Sequence, residues 1–331
     1  MTYPEAIVVG FIQGVTELFP VSSLGHNVLI PALIGGSWAS DLNVSTAESP
    51  YLAFIVGLHV ATAIGIMAYF WRDWIRIIAG FFTSIIRREL RSTDQKLAWM
   101  LILATIPVGL VGLVFEHEFR VLFAKPVRAA IFLLINGVIL YAGERFRTKR
   151  SLEADAEIER LRAAQAAPAR PRPVPAHAGA HAAVSSHVAA RQEEIAHGEQ
   201  ADERLVKKSY VQAVLIGAAQ ILALFAGISR DGVTMVAGMF TGLSREDAAR
   251  FAFLLATPVI LAAGLLKLPD LTGHLGNGIH GQILVGSILS GLGAYVSVRF
   301  LVRYFQTRTL TPFAIYCFLF GLGSIIYLQV K

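Results

Sequence analysis

The sequence predicts an all-α integral membrane protein, with six transmembrane helices plus two re-entrant helix–loop–helix pairs in an inverted-topology repeat. Three observations lead there. The 331 residues are 55% hydrophobic and only 16% charged, whereas a soluble domain carries about a quarter charged residues. The apolar residues gather into long runs separated by short charged ones, and mean hydropathy is +0.58. Two of the runs are broken midway by polar, glycine-containing stretches.

Six runs reach the roughly 20 residues that a bilayer core requires: 50–71, 97–115, 127–144, 248–267, 282–301 and 312–329. The runs 5–36 and 209–243 are interrupted at "FPVSSLGH" and "FAGISRDGVT". Each half is too short to cross, so a pair that enters and leaves on one side fits better. Irregular backbone at membrane depth survives only where it is buried in protein or lines a wet cavity.

Loop charge gives the orientation. Arg72, Arg76, Arg87, Arg88, Arg91 and Lys96 fall in the connection 72–96, and Arg299, Arg303 and Arg308 in 299–308. The segment "GERFRTKR" follows Tyr141. By the positive-inside rule these three are cytoplasmic. The loops 37–49 and 268–281 contain no Lys or Arg and are expected outside. Both termini then fall outside, with the first broken pair entering from the outer side and the second from the inner. The net charge of +6 follows from these loops and gives no reason to invoke nucleic acid. The single cysteine, Cys317, excludes a disulfide framework and a Cys-based metal site. The start "MTYPEAIVVG" lacks a basic n-region, so no cleaved signal peptide is expected.

Three regions result: a first membrane repeat (1–146), a disordered cytoplasmic linker (147–208) and a second membrane repeat (209–331). The linker is rich in Ala, Pro and His, with room for a short helix near "SLEADAEIERLRAAQAA". Its histidines (His177, His181, His187, His197) read as solvated low-complexity sequence before metal ligands. Shifting the chain by 207 positions lays Gly10 over Gly217, Gln13 over Gln220, Ser22 over Ser229 and Gly25 over Gly232. Inverted repeats place their site where broken helices of both halves meet, so the two breaks should face each other.

The first break offers Gln13, Glu17, Ser22, Ser23 and His26; Gln13 and Glu17 share a helical face. The second offers Ser229, Arg230, Asp231 and Thr234. Its glycines, Gly227 and Gly232, flank a turn that opens a helix, where backbone N–H groups can meet an anion. Arg230 adds a planar fork suited to phosphate, and an intramembrane arginine is a functional candidate by default. Together these suggest phosphoryl transfer from a lipid-borne phosphate. Ser23, Thr234 or an activated water would attack, and His26 would act as base or acid. Glu17 would orient His26, serve as base itself, or ligate a divalent cation. Competing structural readings exist: Glu17 as a simple partner of Arg230, Ser22 and Ser23 as caps, and His26 bonded to a carbonyl. Gln13 and Gln220 can serve as polar glue between helices. His59 reads as a satisfied core histidine.

At these breaks the chain resembles the bacterial undecaprenyl-pyrophosphate phosphatase family, the one linked to bacitracin resistance. The family's [E/Q]-x-x-x-E motif running into P-V-S-S-x-G-H reads here "QGVTELFPVSSLGH" (13–26). Its P-G-x-S-R-S-x-x-T motif reads "AGISRDGVT" (226–234), with Ala226 for the proline and Asp231 for the second serine. The resemblance spans the chain outside 147–208. It implies hydrolysis of the C55 polyprenyl pyrophosphate to the monophosphate, recycling the cell-wall lipid carrier. It also implies a multi-pass protein of the bacterial plasma membrane whose cleft opens to the outer face. Active residues carry over onto Gln13, Glu17, Ser23, His26, Ser229, Arg230 and Thr234. Substrate binding is assigned to Gln13, Ser22, Gly227, Ser229, Arg230 and Gly232. Dependence on a divalent cation (Mg2+ or Ca2+) comes with the family, and no organic cofactor; in this chain Glu17 and Asp231 are the candidate ligands. Asp231 either weakens phosphate binding at Arg230 or restores it through a metal. The expected partners are the polyprenyl pyrophosphate, membrane lipids and a second copy of the chain, with no nucleic acid. A flippase and a non-catalytic lipid-phosphate binder are the rivals; neither would release phosphate.

Overall fold

The computed structural model describes residues 1–43, 50–123, 125–165, 196–266 and 278–330. Among them the chain is helical, without strands. The helices are α1 (Tyr3–Thr16), α2 (Ser23–Ile34), α3 (Gly36–Asp41), α4 (Pro50–Tyr69), α5 (Trp71–Arg87), α6 (Thr93–Phe123), α7 (Pro126–Gln165) and α8 (196–205). There follow α9 (Tyr210–Ala218), a 3-10 segment (Ala219–Leu224), α10 (Arg230–Phe240), α11 (Arg245–Leu266), α12 (His280–Thr307) and α13 (Thr311–Val330). Six of them, α4, α6, α7, α11, α12 and α13, are long and apolar enough to cross a membrane. This is a multi-pass membrane protein.

The inner helices are α4 and α11, whose apolar windows lie mostly inside; α12 and α13 face mostly outward. Every residue of α11 from Asp247 to Thr257 is buried, the mark of a helix surrounded by protein. Outward faces carry exposed Leu110, Leu113, Leu292, Val296, Leu319 and Ile326. Lipid solvates such side chains, so no hydrophobic force joins the helices. Close packing of small residues does that work. Gly10 and Gly14 of α1 lie against Gly286, Ser290 and Gly293 of α12, and Gly217 of α9 lies against Ala104 of α6.

Three stretches differ from the sequence expectation. The connection 72–96 contains α5, a helix of 17 residues. It buries Ile77, Gly80 and Ser84 and exposes Ile75, Ile78, Phe82 and Ile86. A charged loop hides such a helix because its arginines dilute the apolar face in any running average. The second broken pair has an α-helix on each side of the break, but its first leg tightens from α9 into the 3-10 segment at Ala219. The linker is shorter than 147–208. Its start continues α7 unbroken to Gln165, and its end forms α8, which buries Ala201, Asp202 and Leu205. Asp202 accepts from Arg250 at 2.8 Å and from Arg76 at 3.3 Å, which ties α8 to α11 and α5. Residues 166–195 of the expected linker, with His177, His181 and His187, and residues 44–49 and 267–277, which include parts of the two loops expected outside, lie outside the described residues. His197 sits 3.9 Å from Glu246.

Gly10 gives a direct test of the α1–α12 seam. A Cβ there would stand 2.5 Å from the Gly286 carbonyl oxygen, whereas one at Gly323 meets nothing within 4 Å. Overpacking costs about 1–3 kcal/mol, more than the roughly 1 kcal/mol a helix gains from Gly→Ala. Gly10→Ala should lower the thermal unfolding midpoint in detergent, and Gly323→Ala should leave or raise it.

Candidate active site

The first break is a strained turn. Helix α1 ends at Thr16 with Glu17 as its C-cap, and α2 starts at Ser23. Between them Ser22 holds φ 68°, a left-handed conformation that costs about 1–3 kcal/mol for a non-glycine residue. Its hydroxyl compensates by accepting from two backbone N–H groups, Gly25 and Gly227, each at 3.2 Å. One oxygen thus caps α2 and reaches the other break. Contact this close requires glycine on both sides: a Cβ on Gly25 would stand 2.9 Å from the Gly227 Cα, and Gly227 itself has φ +113°.

Glu17 is the hub. Its Oε2 accepts from Gln13 Nε2 at 2.7 Å and from the Ser23 hydroxyl at 2.5 Å. Its Oε1 accepts from Arg230 Nη2 at 3.2 Å. The Glu17 and Arg230 side chains are 6% and 13% exposed, so the pair is largely out of water. Gln13 is fixed in turn, because Asn27 Nδ2 donates to its Oε1 at 2.6 Å. Arg230 opens α10, where the Ser229 hydroxyl accepts from Gly232 N–H at 3.1 Å. Arg230 Nε donates to Asp231 Oδ1 at 3.2 Å, and the other Asp231 oxygen is buried without a hydrogen-bond partner among the described residues.

Not every candidate joins this hub. Thr234 donates its hydroxyl back to the Arg230 carbonyl at 2.7 Å, which leaves Ser23 as the hydroxyl bonded to the carboxylate. His26 does not bond Glu17. Its Nδ1 faces the Ser22 carbonyl at 2.7 Å and its Nε2 the Tyr316 hydroxyl at 2.7 Å. A carbonyl only accepts, so Nδ1 carries the proton and Nε2 accepts from Tyr316. His26 also packs against Tyr316 and Phe320, which stack on each other. Gln220 bonds its own turn, donating to the Gly217 carbonyl at 3.3 Å, so it glues no helices together.

Three residues were missed from sequence. His59 does bond a carbonyl, Ile55, through Nδ1 at 2.8 Å, but its Nε2 stands 3.4 Å from Glu17 Oε2. Asn136, fully buried in α7, donates to the Pro20 carbonyl at 3.0 Å and accepts from Ser229 N–H at 3.0 Å, so it bridges the breaks. Tyr316 pins His26. The available signal was a polar residue alone in an apolar span; it weighs equally on glue and on chemistry, and only proximity separates them.

Comparison with known proteins gives the family. The family model for bacitracin resistance protein BacA matches residues 6–167 and 175–323. The chain is 55% identical over 332 positions to the undecaprenyl-diphosphatase of Mycolicibacterium paratuberculosis, covering 100% of this chain and 99% of that protein. It is 55% identical over the same shares to that of Mycobacterium avium. It is 52% identical to undecaprenyl-diphosphatase 2 of Frankia alni, covering 97% and 96%. With both breaks inside the matched residues, the chain belongs to the bacitracin resistance protein BacA family.

Proposed function

We propose that the chain is an undecaprenyl-diphosphatase, which hydrolyses the polyprenyl pyrophosphate to the monophosphate at the seam of the two breaks. The observation that carries this reading is the carboxylate of Glu17 shared between the Ser23 hydroxyl and the Arg230 guanidinium. A hydroxyl with an adjacent base is the arrangement of an activated nucleophile, and the arginine supplies the charge that phosphates need. In the proposed step Glu17 takes the Ser23 proton as Ser23 Oγ bonds to the terminal phosphorus. The bond from that phosphorus to the bridging oxygen breaks, and the lipid monophosphate leaves. Water then releases phosphate from Ser23. Arg230 swings from Glu17 onto the phosphate oxygens, and His26 with Tyr316 holds the Ser22 turn.

Glu17 and Asp231 fit a divalent cation shared with substrate. Two carboxylates flank one arginine, and one Asp231 oxygen is buried and unfilled. Mg2+ is commonly held by one or two carboxylates plus substrate phosphates. Among the described residues no group of three or more His, Cys, Asp or Glu is arranged to hold a metal by itself. Bound there, the cation would neutralise charge on the phosphates.

The inverted repeat is part of the same proposal, and its support lies in matched local chemistry. Thr2 and Glu5 form a capping box on α1, as do Ser209 and Gln212 on α9. Ser22 caps α2 through Gly25 N–H, and Ser229 caps α10 through Gly232 N–H. Gly10 and Gly217 mark the close approaches of α1 to α12 and α9 to α6. Each pair is separated by 207 positions. With the arginine-rich end in the cytoplasm, the first pair is re-entrant from outside and the cleft opens outward. The membrane is the bacterial plasma membrane.

Three experiments test the site. Purified protein should release phosphate from a long-chain polyprenyl pyrophosphate with Mg2+ present, and Glu17→Gln and Arg230→Gln should each lose about a hundredfold or more in kcat. Rapid quenching with terminally labelled substrate should leave label on the protein, absent in Ser23→Ala; label-free wild type turning over normally would make water the nucleophile. Asp231→Asn should raise the Mg2+ concentration for half-maximal rate by about tenfold. No change there would remove Asp231 from the cation site.

A further inference from the structure

Away from both breaks, a cavity of about 390 Å³ opens at the arginine-rich end of the bundle, between the start of α5, α8, the start of α11 and the end of α12. Arg72, Arg76, Arg250, Arg299 and Arg303 line it. Only two carboxylates, Asp73 and Glu246, do so. None of these residues belongs to the phosphatase site.

The arginines divide into two sets. Arg250 and Arg76 form the floor and are already neutralised. Arg250 donates to Asp73 at 2.7 Å and to Asp202 at 2.8 Å, and Arg76 donates to Asp73 at 2.6 Å and stands 3.4 Å from Asp94. This network fixes the cavity's shape. Arg72, Arg299 and Arg303 are exposed at its mouth. Arg72 lies over the Trp71 ring at 5.1 Å, and neither it nor Arg299 makes an ion pair among the described residues. A rigid floor beneath the guanidinium groups of Arg72 and Arg299 suits an anion with several oxygens, of which phosphate is the best match.

The rim says where that phosphate comes from. Trp71 and Tyr295 are 45% and 38% exposed. Beside them α5 turns Ile75, Ile78 and Phe82 outward. Aromatic rims and an amphipathic helix are found at the boundary between headgroups and acyl chains. Basic pockets between transmembrane helices at that level take lipid headgroups. We propose that this cavity binds the phosphate headgroup of an anionic phospholipid.

The test uses the full chain in detergent, with bound lipid counted by native mass spectrometry. Phosphatidylglycerol is titrated against phosphatidylcholine, for wild type, for the double variant Arg72→Gln with Arg299→Gln, and for Arg87→Gln with Arg88→Gln at the far end of α5. The mouth variant should bind phosphatidylglycerol about tenfold or more weakly, from the roughly tenfold-scale contribution of two arginines near a lipid phosphate. The far-end variant should match wild type, and phosphatidylcholine should bind weakly to all three. Phosphate release in lipid-free detergent should be equal in the mouth variant and wild type, which shows that the variant is folded. Equal binding of the two lipids, unchanged affinity in the mouth variant, or equal loss in the far-end variant would overturn the proposal. So would displacement of the lipid by submillimolar inorganic phosphate, which would make the ligand a soluble anion.

Discussion

Glu17 and Arg230 come from opposite halves of the chain and meet at 3.2 Å with little access to water. Removing two such charges from water is expensive, and their mutual attraction repays it only with good geometry and further hydrogen bonds. The surroundings supply those bonds. Gln13 and Ser23 donate to the carboxylate, Asn27 locks Gln13, and the Arg230 side chain has Asp231 on its other flank. Backbone must come close enough for this, which explains Gly25 against Gly227 and the strained Ser22. Without the pair, the glycines and the left-handed serine would be cost without return.

The two broken pairs share local capping but differ in the side chains they present. Both broken pairs start with capping boxes and resume with a serine that caps through a glycine three residues on. The residue opening the second helix is Ser23 in one half and Arg230 in the other. At the same offset one half presents a hydroxyl and the other a guanidinium. In the proposed reaction the first attacks phosphorus and the second holds its oxygens, so two matched helix starts serve one reacting atom.

The six spans were legible because lipid imposes one demand, length and apolarity, that a sequence displays directly. The breaks were legible because Pro20, Gly25, Gly227 and Gly232 interrupt otherwise apolar runs. The wiring between them was not. Nothing local tells that Glu17 bonds Ser23, has His59 Nε2 3.4 Å away and leaves His26 alone, or that Tyr316, at the far end of the chain, faces that histidine. Helix α8 escaped for a similar reason: Asp202 and Leu205 look like linker until Arg250 and Arg76 are placed beside them. Periodicity and composition describe a helix against a uniform solvent, whereas these assignments depend on which helix is the neighbour.

The family motif carries a serine where this chain has Asp231, and the geometry bears on what that change does. Asp231 Oδ1 accepts from Arg230 Nε, so the guanidinium sits between two carboxylates when no substrate is bound. An incoming phosphate must then displace a carboxylate from Arg230, and exchange of one anion for another gains little unless a second cation arrives with the substrate. The unfilled Asp231 oxygen offers a place for it. A serine would leave Arg230 freer and the cation less firmly held. On the proposed reading, the substitution trades a freer Arg230 for a cation held more firmly beside it, and the Ser23–Glu17 bond lies on the other side of the seam.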